Sequence, residues 1–156
     1  MVDNTWAYEI ETKVLGLIKS YAIPRLKKVE IFKTTRFTNA VTNEESRLSG
    51  TIFPTIYVHE LAGVEQGKDL EGQSINAVLE TFQIDCITNT KQSDAKQIMR
   101  VVADVMKELR FEIVSMPEFK SQDKVYRSTA RFRRVIGRND RIKMDKSKET
   151  EKITRR

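Results

Sequence analysis

His59 and Cys86 are the one histidine and the one cysteine of this chain, so a nucleophile–base pair or a Cys/His metal set would have to be built on them alone. His59 falls inside a run rich in β-branched residues, where a satisfied or partly exposed strand imidazole is the common state. Cys86 falls on the apolar side of an alternating run, where a thiol acts as a small inert hydrophobe. Gly63, Gly67 and Gly72 have neither phosphate-loop nor dinucleotide-loop spacing, and no helical pattern begins after them. Glu44, Glu45, Glu65, Asp69 and Glu71 lie in polar stretches without the apolar surroundings that shift a carboxyl pKa, and read as solvated loop charges. No catalytic constellation, cofactor or metal is expected.

A different group of residues is better placed to make contacts. In residues 125–136, Arg127, Thr129, Arg131 and Arg133 alternate with Tyr126, Ser128, Ala130 and Phe132. Successive strand side chains point to opposite faces, so one side can join a core while the other carries a row of guanidiniums. Such a row is either a solvated sheet face or a surface on which arginine's rigid fork pairs with carboxylates of a neighbour. Direct DNA binding fits less well, because interleaved aromatics for single strands and a recognition-helix pattern for duplex are both missing.

Composition narrows the possibilities further. With 156 residues, 39% of them hydrophobic, the chain can build one domain with a proper core but not two comfortable ones. The net charge of +6 is concentrated: residues 137–156 hold eight Lys/Arg against four Asp/Glu, leaving 20 against 18 for the rest. The expected division is a near-neutral domain over residues 1–137 and a basic extension over 138–156, disordered in isolation or ordered on a neighbour. A single cysteine implies no internal disulfide. No apolar run approaches membrane-spanning length and the N-terminus lacks a secretory pattern, so folding in the cytoplasm is expected, with no membrane partner.

The elements that must position the arginines follow from periodicity. Residues 6–21 place Trp6, Ile10, Val14, Leu17, Ile18 and Tyr21 at helical spacing, with Pro24 expected to stop the helix. Residues 29–34 read as a strand, 35–51 as a long loop, and 52–61 as a strand with Pro54 marking an edge or an irregular start. The stretch 63–72 reads as a glycine-rich excursion or hairpin tip. Residues 76–88 alternate, with Val78, Phe82, Ile84 and Cys86 on one side and Thr81, Gln83 and Asp85 on the other. A second helix opens at Ser93 as N-cap and aligns Ala95, Ile98, Met99, Val102, Val105, Met106 and Leu109. Strands at 111–116 and 125–136 follow, with Pro117 ending the first and residues 120–123 turning between them. The order α-β-β-β-α-β-β predicts an α+β fold: an antiparallel sheet with two helices packed on one face.

The residues Ser93-Asp94 through Val101-Val102-Ala103-Asp104-Val105-Met106, then Leu109-Arg110-Phe111, then the strand from Tyr126-Arg127 to Val135-Ile136, resemble the tail terminator (tail completion) proteins of tailed bacteriophages and phage-tail-like particles. With the alternating strand and first helix, the resemblance covers most of residues 5–137. Relatives often carry glycine where this chain has Arg110, and the basic extension is longer than the family pattern. The resemblance implies a virion protein, assembled in the host cytoplasm, whose subunits form a ring, as a hexamer. The ring would cap the head-proximal end of the tail tube, stop its polymerisation and offer a docking surface to the neck or connector. DNA would pass through the lumen unread. On this reading Arg127, Arg131 and Arg133, with Glu65, Lys68, Asp69 and Glu71 of the glycine-rich loop, are the candidate subunit or neck interface.

Two other readings compete: another neck or tail component, such as a head-tail connector or tube subunit, and a small basic nucleic-acid-binding module using residues 138–156, whose affinity would fall steeply with salt.

Overall fold

A twelve-residue strand, Ala77–Thr88, is the axis of the fold in the computed structural model, which describes residues 3–29, 32–33, 35–38, 53–67, 70 and 72–142. In chain order the elements are α1 (Thr5–Tyr8), α2 (Ile10–Leu26), β1 (Arg36–Thr38), β2 (Thr55–Glu60), β3 (Val64–Gln66), β4 (Ala77–Thr88), α3 (Gln92–Glu108), β5 (Glu112–Gln122) and β6 (Val125–Gly137). Among the described residues the strands form one sheet in the order β1-β2-β4-β6-β5, with β3 also paired to β4. The fold is α+β.

Alternation decides which face is core. Along β4, Val78, Phe82, Ile84 and Cys86 are buried, and their register partners Ile136, Phe132, Ala130 and Ser128 on β6 are buried with them. Ile56 and Val58 of β2 continue that surface. The helices close it: α2 contributes Ile10, Val14, Ile18, Ala22 and Leu26, a strict four-residue spacing, and α3 contributes Ala95, Ile98, Met99, Val102, Val105 and Met106. Arg25 of α2 and Glu108 of α3 tie the helices with a 2.5 Å ion pair.

Several sequence expectations are corrected. The first helix breaks at Glu9 and then runs through Pro24 to Leu26. A proline inside a helix costs about 3 kcal/mol relative to alanine, and Ala22 and Leu26 on either side of it are buried in the core. The run 29–34 is not a strand where it is described: Phe32 N–H donates to the Val29 carbonyl (3.0 Å) and Thr35 N–H to the Phe32 carbonyl (3.1 Å), so Val29 and Phe32 share one side of consecutive turns. The strand comes later, at Arg36–Thr38, inside the stretch read as loop. It pairs parallel with β2, so the sheet is antiparallel except at this edge. Residues 39–52, which include Glu44 and Glu45, lie outside the described residues.

The glycine-rich excursion contributes β3, antiparallel to β4. Lys91, not Ser93, is the N-cap of α3 and makes no side-chain capping bond; Thr90 Oγ1 instead donates to Asp94 Oδ2 in the first turn (2.5 Å). Pro117 does not end β5. It sits inside the second register shift of an edge strand, between Ser115 and Glu118, where it has no register partner and its missing N–H breaks no ladder bond. The β5–β6 turn is Asp123-Lys124, both at positive φ (50° and 63°), the left-handed geometry that suits two-residue hairpins.

Packing also continues past Gly137. Arg134 Nη2 donates to Asp140 Oδ2 (2.6 Å), Lys13 Nζ to the Asp140 carbonyl (3.2 Å), and Ile142 is 1% exposed in the core. The folded unit thus includes residues 138–142, which charge composition assigned to the extension.

Candidate functional site

The face of the sheet turned away from α2 and α3 carries the arginine row. In register across β2, β4, β6 and β5, it is built of successive rungs: Thr55, Ile87, Arg127 and Lys120; then Tyr57, Asp85, Thr129 and Glu118; then His59, Gln83, Arg131 and Ser115; then Thr81, Arg133 and Glu112. This face is not flat. The register shifts between Ile113 and Ser115 and between Ser115 and Glu118 add twist to β5, as bulges do, and the sheet encloses a groove of about 800 Å³. Phe53, Tyr57, Ile87 and Val125 provide its apolar lining, and Lys120, Arg127, Arg131, Glu118 and Asp123 its charges.

A polar cluster holds the middle of the groove. Asp85 is 4% exposed, yet both carboxylate oxygens are engaged: Thr129 Oγ1 donates to Oδ1 (2.5 Å), and His59 Nε2 lies 3.3 Å from Oδ2. The His59 ring stacks on Tyr57 with centroids 6.0 Å apart. Although a hydroxyl, a carboxylate and an imidazole meet here, their order is wrong for nucleophilic catalysis. A triad needs the imidazole between hydroxyl and carboxylate, so that it can take the hydroxyl proton. Here the carboxylate stands in the middle and already accepts from the hydroxyl. The cluster cross-links three strands.

The candidate residues are distributed unevenly. Arg131 is exposed and donates from Nε to Gln83 Oε1 (3.0 Å); Arg133 is exposed and donates from Nε to Glu112 Oε1 (2.5 Å). Arg127 is half-buried in the groove, opposite Lys120. Two cations directly opposite on one face repel. Glu65 is not part of this arrangement: it pairs with Val78, whose side chain lies on the helix side, near the far end of β4. Lys68, Asp69 and Glu71 lie outside the described residues. The structure therefore groups the three arginines and separates Glu65 from them.

Sequence reasoning missed Glu80. It shares the buried side of β4 with Val78 and Phe82, and is 3% exposed. Burial pushes its carboxyl up to about 7, with Glu60 and Glu11 adding like-charge repulsion. Its even spacing from Val78 and Phe82 was the signal. Cys86 is buried, and desolvation, reinforced by Asp85, pushes its thiol well above the usual range, consistent with an unreactive core residue. Among the described residues no group of three His, Cys, Asp or Glu side chains is placed to hold a metal ion, and no helix is long and apolar enough to cross a membrane.

The chain matches no protein-family model and no curated protein. On the sheet face turned away from α2 and α3, the Lys120 ammonium and the Arg131 and Arg133 guanidiniums are exposed, while Tyr57 and Ile87 on the same face are buried.

Proposed function

We propose that this chain is the subunit of a tail terminator, a ring at the head-proximal end of a phage tail tube that ends tube polymerisation and receives the neck of the filled capsid. The observation that carries this reading is the arginine row itself, with Arg131 and Arg133 exposed on the sheet face opposite the helices. A protein whose task is to be contacted by copies of itself, by the tube and by the neck needs such a face. It needs no reaction centre. The resemblance of residues 93–136 to tail terminators supports the same reading, and a hexameric ring, with DNA crossing its lumen unread, is the arrangement it implies. The virion is then the place of action.

Negative-stain imaging of the purified protein mixed with its cognate tail tubes tests the proposal. A ring at one tube end is expected. A protein that stays monomeric at all concentrations and leaves tube ends bare overturns it. Arg131→Glu and Arg133→Glu should reduce ring or neck assembly while the domain keeps its native circular dichroism.

A further inference from the structure

The outer edge of β5 is open, and its second half is regular. Among the described residues no strand pairs with that edge, which ends the sheet order β1-β2-β4-β6-β5. Pro117 and the register shifts blunt the first half, as prolines and bulges do on edge strands. Residues 118–122 instead run in unbroken register with β6, from Glu118 opposite Thr129 to Gln122 opposite Val125. Gln122 and Val125 flank the two-residue turn and so form a hydrogen-bonded pair, and bonded pairs alternate along an antiparallel ladder. Lys120 and Glu118 therefore bond inward to β6, while the N–H and C=O of Phe119 and Ser121 point out of the sheet edge. On the face of the arginine row, Lys120 stands opposite Arg127, and neither cation has an ion-pair partner among the described residues. Glu118, exposed on the same face, has none either.

We propose that this edge pairs with the same edge of a second copy, antiparallel about a two-fold axis through Phe119. Charge decides the register. Within 118–122 only Phe119 and Ser121 turn their backbone outward, so the axis can pass through Phe119, Lys120 or Ser121. An axis through Lys120 sets that lysine opposite its own copy, and like charges directly opposite are destabilising. An axis through Ser121 sets Lys120 against Gln122 and gives it no carboxylate. An axis through Phe119 sets Glu118 opposite Lys120 on both sides of the centre, and Phe119 opposite Phe119, an aromatic pair of the kind that stabilises sheets. The rung then reads Arg127, Lys120 and Glu118 of the second copy, so the opposed cations gain the carboxylate they lack within one chain. At the centre each Phe119 N–H donates to the Phe119 carbonyl of the other copy. Ser121 faces Pro117, which has no N–H to donate, so the ladder is short and the dimer weak. A contact between identical patches stops at two copies. It describes the chain away from any tube and is independent of the terminator reading, whose ring is built through other surfaces.

The test follows the full chain by sedimentation velocity from about 10 μM to about 1 mM, where a contact smaller than a standard interface is populated. The wild type should pass from the single 18.1 kDa chain to a species of two. Glu118→Lys and Lys120→Glu each set like charges opposite on both sides of the axis and should weaken the dimer about tenfold. The double reversal exchanges the charges and should return the dimer to within about threefold of wild type. In amide hydrogen exchange of the wild type, the Phe119 N–H should slow as concentration rises. A chain still monomeric at about 1 mM overturns the contact and leaves the edge to a strand of another protein. A chain that passes straight to larger species overturns it too. So does a dimer that the single reversals leave unchanged, that the double reversal fails to restore, or in which Phe119 exchanges at the monomer's rate. The exchange measurement needs no variant, so it decides where a reversal does not keep native circular dichroism.

Discussion

Glu80 and Arg134 stand directly opposite each other on β4 and β6, on the buried side of the sheet, and each keeps an atom without a partner: Glu80 Oε2 and Arg134 Nη1 make no hydrogen bond. Arg134 instead commits Nη2 to Asp140. Glu80 is left beside Glu60 and Glu11, which disfavour its charge as burial does. Opposite charges in register thus need not pair when a third group takes the cation.

The consequence is a pH dependence of defined sign. Glu80 has a folded pKa of about 7 against an ordinary 4.5, so the folded state holds a proton that the unfolded state has lost between those values. Stability therefore falls as pH rises from about 4.5 to about 7 and is lowest above it. Glu80→Gln removes this slope. Urea denaturation at pH 5.5 and pH 8 should show the variant more stable than wild type at pH 8, by on the order of 1–2 kcal/mol after allowing for solvent screening near exposed Glu60. The advantage should shrink at pH 5.5. An equal difference at both pH values refutes the assignment.

Asp85 gives the second prediction. Its carboxylate is buried and depends on Thr129 and His59 for its hydrogen bonds. Thr129→Val keeps the shape but leaves Oδ1 unsatisfied, which costs about 1–3 kcal/mol. Chemical denaturation of Thr129→Val should show that loss, and pairing it with Asp85→Asn in a double-mutant cycle should show non-additive costs.

Arg110 is the third. At φ 70° it forms the left-handed step from α3 into β5, and its N–H donates to the Lys107 carbonyl (3.0 Å). A non-glycine residue is strained there, by roughly 1 kcal/mol. Arg110→Gly should raise the thermal midpoint by a few degrees, the strain relief being only partly offset by the greater freedom of glycine in the unfolded chain. A lower midpoint would show that the arginine side chain contributes more than its backbone costs.

Where pattern alone fixed the answer, the fold was legible: α3, with apolar residues on one stripe, and β4 and β6, with period-two alternation, came out near their observed bounds. What was not legible depends on partners distant in sequence. Arg36–Thr38 is a strand only because β2 lies alongside, and three residues carry no period of their own. Pro117 could be placed inside β5 only by knowing that β5 is an edge. The groove follows from bulges that shift register without leaving a mark in composition, so the arginines were visible as a row while their apolar floor was not. The Asp85 cluster was half visible, since Asp85 and Thr129 were on the expected polar faces, but pairing register was needed to join them.

Ile142 supplies the last prediction, because it shows a tail of mostly charged residues hiding one anchor. Its side chain is buried among core residues, its N–H donates to Asp140 Oδ1 (2.8 Å), and Asp140 is itself held by Arg134 and Lys13. Lys13 of α2 and Arg134 of β6 therefore fix a segment that composition assigns to a solvated extension. Burying an isoleucine and filling its space contributes about 2–5 kcal/mol relative to alanine, and a position outside any helix or strand belongs at the lower limit because its surroundings can collapse. A chain truncated after Gly137 should be less stable in urea than one truncated after Ile142, and Ile142→Ala less stable than wild type, each by about 2 kcal/mol. Equal stability of the two truncations would place the boundary of the folded unit at Gly137.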